Sequence, residues 1–358
     1  MEADLSTRSE IELTNPLAPS PSSRLRVEVV NPLEHEADIK ALMTADGIAE
    51  FEDFFDRGYP DAVADGGASW VAFDETGRIQ LCLTQFVHHF QFRGADLRSG
   101  VTGNVVAARA YRTFFPAVAL FRRMLSDTRA RGELDFVYGD PTPAASAVSR
   151  AVKMDHVGNL DRLVLPIADA GFTRGLGARL FSRAPMILGG RMAPSVRSYP
   201  AETCNLGTFD QPLGEECRVL ARHPVSLLRR RLRAFPGPND FVVELRSDDS
   251  ATAWDALVLL RLADDTRILS ILSVRRRSDV SLRYVIPALV LLARRVGAYR
   301  LQCETLLETR MAREFCSLGF RARGDVLPVF VKTFTAAGDE AIANLFEWEL
   351  TTLDMERL

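Results

Sequence analysis

The chain has 358 residues, enough for two domains of ordinary size, each with its own hydrophobic core. Hydrophobic residues make up 47% of the sequence and charged residues 25%, which is typical of soluble globular proteins. The formal net charge of −3 provides no general attraction to nucleic acid, so we expect no nucleic-acid partner.

The five cysteines are dispersed, without the Cys-x-x-Cys spacing of a zinc site or a redox motif. An odd, scattered set of cysteines indicates reduced thiols, and therefore predicts a cytoplasmic protein. The histidines have no Cys or His neighbours at zinc-binding spacing, so we predict no metal. No apolar segment follows a basic start, so we expect no signal peptide. The apolar runs are too short to span a bilayer, and we expect no membrane partner.

Residues 1–23 are polar and rich in proline and serine, which predicts a disordered tail. The segments that follow predict a strand, two helices and then an antiparallel hairpin around the turn 74–77. Their predicted limits, in chain order, are 24–30 for the strand, 34–43 and 48–55 for the helices, and 70–73 and 79–92 for the hairpin.

The most informative stretch runs from Gly100 to Gly139. A strand is predicted at 101–108, and Pro116 suits the first turn of the next helix, where a missing N–H costs nothing. Gly132 is predicted to end this helix, before a short apolar strand at 135–139. The first turn of such a helix has free N–H groups and the positive end of the helix dipole, which suit a phosphate group.

This strand–turn–helix–strand unit resembles the GNAT family of acyl-CoA N-acyltransferases. In that family the turn carries Arg/Gln-x-x-Gly-x-Gly/Ala, and its backbone amides hold the pyrophosphate of acetyl-CoA. The corresponding run here is Arg112-Thr113-Phe114-Phe115-Pro116-Ala117, a degenerate version in which Phe115 replaces the central glycine. The resemblance implies acetyl-CoA or another acyl-CoA as co-substrate. The implied binding residues are Val106, Ala107, Ala108, Arg112, Thr113, Phe114, Phe115 and Ala117.

A helix predicted at 144–152 and a strand at 157–166 complete the GNAT order of elements. The second half carries an internal repeat: Arg112, Pro116, Ala117, Leu120 and Arg123 recur at one constant offset as Arg283, Pro287, Ala288, Leu291 and Arg294. Ser317-Leu318-Gly319-Phe320 also resembles the Leu-Gly-Phe that closes a late helix in GNAT domains. We therefore predict an α/β protein of two tandem GNAT-like domains, each with its own mixed central sheet whose fourth and fifth strands splay apart.

The predicted organisation is a tail at 1–23, an N-terminal domain at 24–168, a connector at 169–203, a C-terminal domain at 204–335 and a C-terminal helix at 336–358. A short helix is predicted in the connector at 176–181. The second domain is predicted to contain helices at 213–221, 225–234, 287–296 and 308–317. Its predicted strands are 241–246, 256–262, 267–274, 299–303 and 326–333.

Acyl transfer from a thioester needs a hydrogen-bond donor for the oxyanion, loss of a proton from the amine, and an acid for the leaving thiolate. GNAT enzymes use a backbone N–H of the central strand as the donor, here in the region 106–108. In GNAT enzymes a tyrosine of the late helix often serves as the acid. The corresponding position lies near Ser149 in the first half and near Phe315 in the second, and neither side chain can donate a proton as tyrosine does. The remaining catalytic candidates are His88, His89 and Tyr138, the last at the end of the fifth strand. Because side chains alternate between the two faces of a strand, at most one of the two histidines faces a given cleft. Thr102 and Asn104 are candidates to line the same cleft.

Three functions stay open at the level of sequence. The first is transfer of an acyl group from acyl-CoA to an amine of a small molecule or a protein. The second is a non-catalytic GNAT-like protein that binds a ligand or serves as a scaffold. The third is aminoacyl or peptidoglycan-precursor transfer from a charged tRNA, which the net charge disfavours.

Overall fold

A computed structural model describes most of the chain between residues 25 and 354. The described residues are 25–45, 47, 51–142, 145–167, 195–201, 204, 206–210, 218–223, 227–228, 232, 240–246, 254–263, 266–351 and 354. The predicted tail at 1–23 and the predicted connector helix at 176–181 lie outside them.

The first half consists of a meander of antiparallel strands followed by a helix and two further strands. The strands, in chain order, are β1 Arg26–Val30, β2 Ala68–Phe73, β3 Ile79–Phe92, β4 Ala95–Ala107, β5 Phe136–Gly139 and β6 Asp155–Pro166. The helices are α1 Glu36–Ala45, α2 Phe51–Ala64, α3 Phe114–Arg131 and α4 Ser146–Ala151. Gly132 ends α3 as predicted, with a left-handed φ of 64° that a residue without a Cβ adopts readily.

The second half repeats a strand-rich arrangement. Its described strands are β7 Ser195–Pro200, β8 Val219–Arg222, β9 Asp240–Arg246, β10 Ala256–Ala263, β11 Ile268–Arg276, β12 Arg300–Leu306, β13 Arg321–Ala322, β14 Leu327–Thr333 and β15 Trp348–Glu349. Its longer helices are α5 Leu282–Arg295, α6 Arg310–Ser317 and α7 Ala336–Ala343.

The strands of both halves belong to one sheet, in the order β1-β2-β3-β4-β5-β14-β6-β12-β11-β10-β9-β7. Strand β14 of the second half is inserted between β5 and β6 of the first, and is antiparallel to both. The prediction that each half has a separate sheet is therefore wrong. Sequence order assigned β14 to its neighbours in the chain, whereas its backbone pairs with two strands of the other half.

Helices cover both faces of the sheet. In the first half, α3 and α4 pack on one face, in a core that includes Leu120, Phe121 and Met124. Helices α1 and α2 pack on the opposite face, against Phe86 and Val106. The interdomain region is itself apolar, with Phe90, Phe136, Tyr138 and Trp348 in one buried cluster. Hydrophobic burial thus continues across the junction of the two halves.

Several predicted elements differ from the structure. Residues 219–222 form a strand that pairs with β3, so the helix predicted at 213–221 is wrong over its described part. The end of the predicted connector, 195–200, forms β7 at the sheet edge. The C-terminal helix ends at Ala343, and Trp348–Glu349 forms a strand parallel to β8. Pro287 is the sixth residue of α5, whereas Pro116 is the third residue of α3. The sequence repeat therefore matches positions that differ by three residues within the two helices.

Candidate functional site: the cleft between the fourth and fifth strands

The central strands β4 and β5 separate as predicted. They pair in parallel only through residues 99–101 and 136–138. Beyond Val101, β4 continues to Ala107, while β5 ends at Gly139. A cavity of about 380 Å³ opens where they separate. Its lining residues are Thr102, Gly103, Asn104, Val105, Phe121, Gly139, Asp140, Pro141, Thr142, Ala145, Ser149, Met154 and Leu327.

A β-bulge forms one wall of this cavity. Gly103 pairs with Thr84 and Val106 with Cys82, so Asn104 and Val105 together lie opposite a single residue of β3. Asn104 adopts a left-handed φ of 50°, which asparagine tolerates better than most residues with a Cβ. Such a bulge takes backbone groups out of the regular ladder and turns them in a new direction. Both bulge residues belong to the cavity lining.

The Asn104 side chain ties the bulge to the core on the α2 face. Its Nδ2 donates a hydrogen bond to the Tyr59 hydroxyl oxygen at 3.0 Å. That oxygen also lies 3.1 Å from Thr84 Oγ1. Tyr59 is fully buried and stacks on Phe55 with a ring separation of 4.1 Å. Because the phenol is fixed by this aromatic packing, it gives Asn104 a rigid partner.

The opposite wall follows the end of β5. A Cβ at Gly139 would lie 2.2 Å from Thr102 Oγ1, so only glycine allows this close approach to β4. Asp140 comes next and is the only charged residue among the thirteen that line the cavity. The chain then turns at Pro141, and the Thr142 carbonyl accepts a hydrogen bond from Ser146 at the start of α4.

The predicted phosphate-binding turn lies at the start of α3, which begins at Phe114 rather than at Pro116. The Thr113 N–H donates to the Tyr111 carbonyl, and Pro116 has no N–H. Phe114 and Phe115 therefore contribute the amide N–H groups of the first turn. The Phe115 ring is 80% exposed and packs edge-on against Phe114, so it lies outside the turn rather than filling it.

The predicted cofactor residues around this turn are mostly near the protein surface. Arg112 is exposed, and its Nε donates to the Ala107 carbonyl at 2.9 Å, which fastens the turn to the end of β4. Ala107 and Ala108 are half-buried at that end, as is Ala117 in α3. Val106 is buried on the α1 and α2 face. These residues border the cavity region without belonging to its lining, and their assignment stays a prediction.

The structure brings two of the predicted catalytic residues together. His88 and Tyr138 are both buried, with Nδ1 of the histidine 3.1 Å from the phenolic oxygen. The Tyr138 hydroxyl donates to the Asp354 carbonyl at 2.6 Å, so in this pair His88 Nδ1 carries the proton. His89 points to the other face of β3, where it is in register with Arg98 and Arg222. None of the three predicted residues lines the cavity, and their catalytic role stays a prediction.

Asp354 connects this pair to the second half of the chain. Its Oδ1 lies 2.7 Å from His223 Nε2, and Oδ2 accepts from the Thr351 N–H at 2.7 Å. The other His223 nitrogen lies 3.3 Å from Ser273 Oγ. All of these groups are buried, so each hydrogen bond satisfies a polar atom that has lost water. The network stabilises the junction of the two halves.

The corresponding strands of the second half, β11 and β12, also pair only over part of their length, through 268–271 and 300–303. Charged side chains fill the region beyond. Arg276 donates to Glu314 at 2.8 Å and to Glu349 at 2.7 Å, and Arg218 donates to Glu349 at 3.0 Å. Because Glu349 belongs to β15, the C-terminal segment forms part of this buried cluster.

Sequence reasoning missed most of the cavity lining, including Asp140, and it also missed Tyr59, which contacts Asn104. The signal for Asp140 was its position directly after the fifth strand, where a GNAT-type cleft opens. Tyr59 was not recognisable, because it reaches Asn104 only through the packing of α2 on the sheet.

Among the described residues, no group of three or more His, Cys, Asp and Glu side chains could hold a metal ion. Within the same residues, no helix has the length and apolar character needed to cross a membrane.

No protein-family model matches the sequence, and no curated protein matches it significantly. Many solved structures are similar in fold, and three of them are compared with this chain. A probable N-acyltransferase of Enterococcus faecalis shares 10% identity, with a TM-score of 0.60 over 88% of this chain and 74% of its own. A GCN5-related N-acetyltransferase of Kribbella flavida shares 14% identity, with a TM-score of 0.57 over 88% and 72%. Eis1 of Mycobacterium abscessus shares 12% identity, with a TM-score of 0.58 over 89% and 76%.

These similarities confirm the predicted fold class. The chain has a GNAT-type fold, built as an α/β mixed sheet over its two halves. At identities of 10% to 14% the similarity concerns the fold, and function has to be argued from the site itself.

Proposed function

We propose that the protein is an acyltransferase that moves an acyl group from acyl-CoA to an amine. The observation that carries the proposal is the separation of β4 and β5 around a cavity of about 380 Å³, with a β-bulge in its wall. A cleft lined by the bulge of the central strand suits a thioester carbonyl, whose oxygen needs hydrogen-bond donors as charge develops on it. Two of the proteins with a similar fold, the probable N-acyltransferase of Enterococcus faecalis and the N-acetyltransferase of Kribbella flavida, agree with this proposal.

The residues present fit an acyl-CoA. The cavity wall combines apolar side chains, such as Phe121 and Met154, with backbone of the bulge at Asn104 and Val105. The start of α3 would hold phosphate through the Phe114 and Phe115 amides, and Arg112, which precedes them in the chain, would add a positive charge. Because the Phe115 ring points to solvent, it leaves the backbone of the turn accessible.

The reaction would join the acceptor nitrogen to the acyl carbon and break the carbon–sulfur bond. A bound acyl-CoA supplies the activated thioester. The bulge would orient backbone donors toward the carbonyl oxygen, and the apolar walls would exclude water. Starting from a neutral amine, the nitrogen loses one proton and the departing sulfur gains one, so the overall reaction balances. His88 and Tyr138 are buried outside the cavity lining, so they would act on the reacting groups only through intervening groups.

A specific observation favours a second candidate, a non-catalytic protein that binds a ligand in the same cleft. Ser149 lines the cavity where GNAT enzymes often have a tyrosine acid, and the buried His88–Tyr138 pair is outside the lining. A serine hydroxyl is a much weaker acid than a phenol. In this alternative the cleft binds acyl-CoA or a related ligand without transfer.

Calorimetric titration with acetyl-CoA and octanoyl-CoA tests the proposal. The wild type should bind at least one of them, and Arg112→Ala should weaken binding by roughly 1–3 kcal/mol, the range for losing a charge-assisted hydrogen bond. Arg122→Ala, which removes an exposed arginine from α3, is the charge-matched control and should leave binding unchanged. Absence of binding at millimolar ligand by folded wild type would overturn the proposal. Release of CoA thiol with an amine acceptor separates transfer from binding alone.

A further inference from the structure

Two adjacent phenylalanines at the start of α3 are exposed to solvent. Phe115 is 80% exposed and Phe114 is 44% exposed, and their ring centroids lie 5.7 Å apart in an edge-to-face arrangement. Further along the same helix, Leu120 and Phe121 are buried in the core. Folding therefore leaves an aromatic pair in water, where it forgoes the free energy that burial of apolar surface would provide.

The charges along the chain around this pair are positive. From residue 109 to residue 126 the sequence contains arginines and no acidic residue. Arg109 and Arg112 precede the pair, and Arg122 lies two helical turns beyond Phe115, on the same side of α3. All three arginines are exposed. We call the set formed by Arg109, Phe114, Phe115 and Arg122 the aromatic–basic surface.

The aromatic pair is too small to anchor a stable interface with a folded protein. Such an interface buries about 800 Å² on each partner, whereas a fully buried aromatic side chain contributes about 150–250 Å². Because Phe114 and Phe115 are already partly covered by the protein, the apolar area that they offer is less than half of that requirement. Entry of single rings into a lipid interface needs no matching partner surface.

The two properties of this surface suit a bilayer with anionic headgroups. Aromatic rings leave water when they enter the boundary between headgroups and acyl chains, and arginines near the bilayer are attracted to its negative charge. The apolar and the electrostatic contributions act together and give reversible binding. Binding at the bilayer surface requires no membrane-spanning segment. The expectation of no membrane partner rested on the shortness of the apolar runs, which concerns spanning segments only.

We propose that the protein docks reversibly on anionic lipid membranes through the aromatic–basic surface. The rings of Phe114 and Phe115 enter the lipid, and Arg109 and Arg122 lie at the headgroups. This inference goes beyond the proposed acyltransferase function and does not depend on it, because it uses the side chains of the two phenylalanines and not their amides.

Flotation of the full-length protein with lipid vesicles, in the absence of acyl-CoA, tests the docking. Wild type should bind vesicles of equimolar phosphatidylglycerol and phosphatidylcholine at least ten-fold more tightly than vesicles of phosphatidylcholine alone. The double variant Phe114→Ser/Phe115→Ser should weaken binding to the anionic vesicles ten-fold or more. The double variant Arg109→Gln/Arg122→Gln should lose the preference for anionic lipid, because the electrostatic attraction is removed.

Two substitutions on α5 provide matched controls. Leu291→Ser removes an apolar side chain that is 51% exposed, and Arg283→Gln removes an exposed arginine. Both variants should bind anionic vesicles within two-fold of wild type, since neither residue belongs to the aromatic–basic surface. Circular dichroism confirms that each variant is folded.

Insertion of the ring is measured with Phe115→Trp, using wild type, which has three tryptophans, as the fluorescence baseline. Brominated phosphatidylcholine in the anionic vesicles should quench the added fluorescence. The proposal is overturned if wild type does not bind anionic vesicles, if Phe114→Ser/Phe115→Ser binds them as wild type does, or if the added fluorescence is not quenched. Because no acyl-CoA is present, these outcomes leave the acyltransferase proposal to its own titrations.

Discussion

At the residue scale, one side chain of the site fixes the backbone of the central strand. Asn104 combines a left-handed φ of 50°, a place in the bulge and a hydrogen bond to buried Tyr59. Each of these alone is ordinary. Together they determine which way the central strand turns its backbone at the cavity.

Replacing Asn104 separates the contributions of conformation and hydrogen bond. Asn104→Ala should lower the free energy of unfolding by about 1–3 kcal/mol, since it strains the left-handed residue and leaves the Tyr59 hydroxyl without this donor. Asn104→Gly should cost less, because glycine adopts this φ without strain. Urea denaturation measures both, with the exposed neighbour Val105→Ala as control. Equal losses for alanine and glycine would show that strain makes no contribution.

The cysteines should differ in reactivity because burial controls their ionisation. Burial raises the pKa of the Cys82 thiol to about 12, and burial also raises that of Cys303. Alkylation by iodoacetamide at pH 8, followed by peptide mass spectrometry, should modify exposed Cys316 first and the two buried thiols only on unfolding. Labelling of Cys82 in folded protein as fast as Cys316 would contradict this.

The same shift has a defined effect on stability. The folded pKa of Cys82 lies above its ordinary value of 9.0, so the folded state retains a proton that the unfolded chain loses. The contribution of the Cys82 thiol to the free energy of unfolding is complete below about pH 9 and is lost as the pH rises toward 12. The urea midpoint of wild type should therefore fall over this range more steeply than that of Cys82→Ala.

At the element scale, local signals predicted local structure well. Strand β3 was predicted with its observed limits, and Gly132 ends α3 as expected. The failures are short segments whose structure depends on distant partners. Strand β8 pairs with β3 and β15, and each of these contacts joins residues more than one hundred positions apart. Short apolar runs are compatible with helix or strand, and only the tertiary partner decides between them.

The C-terminal segment should stabilise the junction through Trp348. Its side chain is buried, its indole N–H donates to the Ala341 carbonyl at 2.7 Å, and its ring packs 5.5 Å from Phe90. Trp348→Ala should lower the free energy of unfolding by about 3–5 kcal/mol, as expected for a buried aromatic residue. Phe346→Ala, at a position that is 38% exposed, is the control and should have a small effect. Thermal unfolding distinguishes the two variants, and similar losses would argue against a packing role for Trp348.

At the scale of the whole molecule, the site was only partly predictable. Thr102 and Asn104 were predicted to line a cleft from their places on β4, and both belong to the cavity lining. Ser149, predicted only as the position where a tyrosine acid is replaced, lines the cavity as well. His88 and Tyr138 were selected by position along their strands. The alternation of side chains along a strand specifies the face of the sheet on which a residue lies, but not how deeply that residue is buried. The Asp354 segment and the cluster around Trp348 cover that face, and a chain read in order does not reveal this cover.

The insertion of β14 between two strands of the first half also predicts how the protein unfolds. Because β14 lies between β5 and β6, and β6 pairs with β12, neither half has a complete sheet alone. A fragment of residues 24–168 would expose the β14-facing edges of β5 and β6 together with apolar surface from the shared core. We therefore expect fragments 24–168 and 204–335 to lack native structure when expressed separately.

Full-length protein, in contrast, should unfold in one cooperative transition, with circular dichroism and tryptophan fluorescence giving the same midpoint. Amide exchange measures the same coupling strand by strand. The amides of β5, β6 and β14 should be protected to a similar degree, since opening any one of them unpairs the next. A fragment of 24–168 with dispersed, protected amides, or two separate transitions of the intact chain, would mean that each half is stable without the inserted strand.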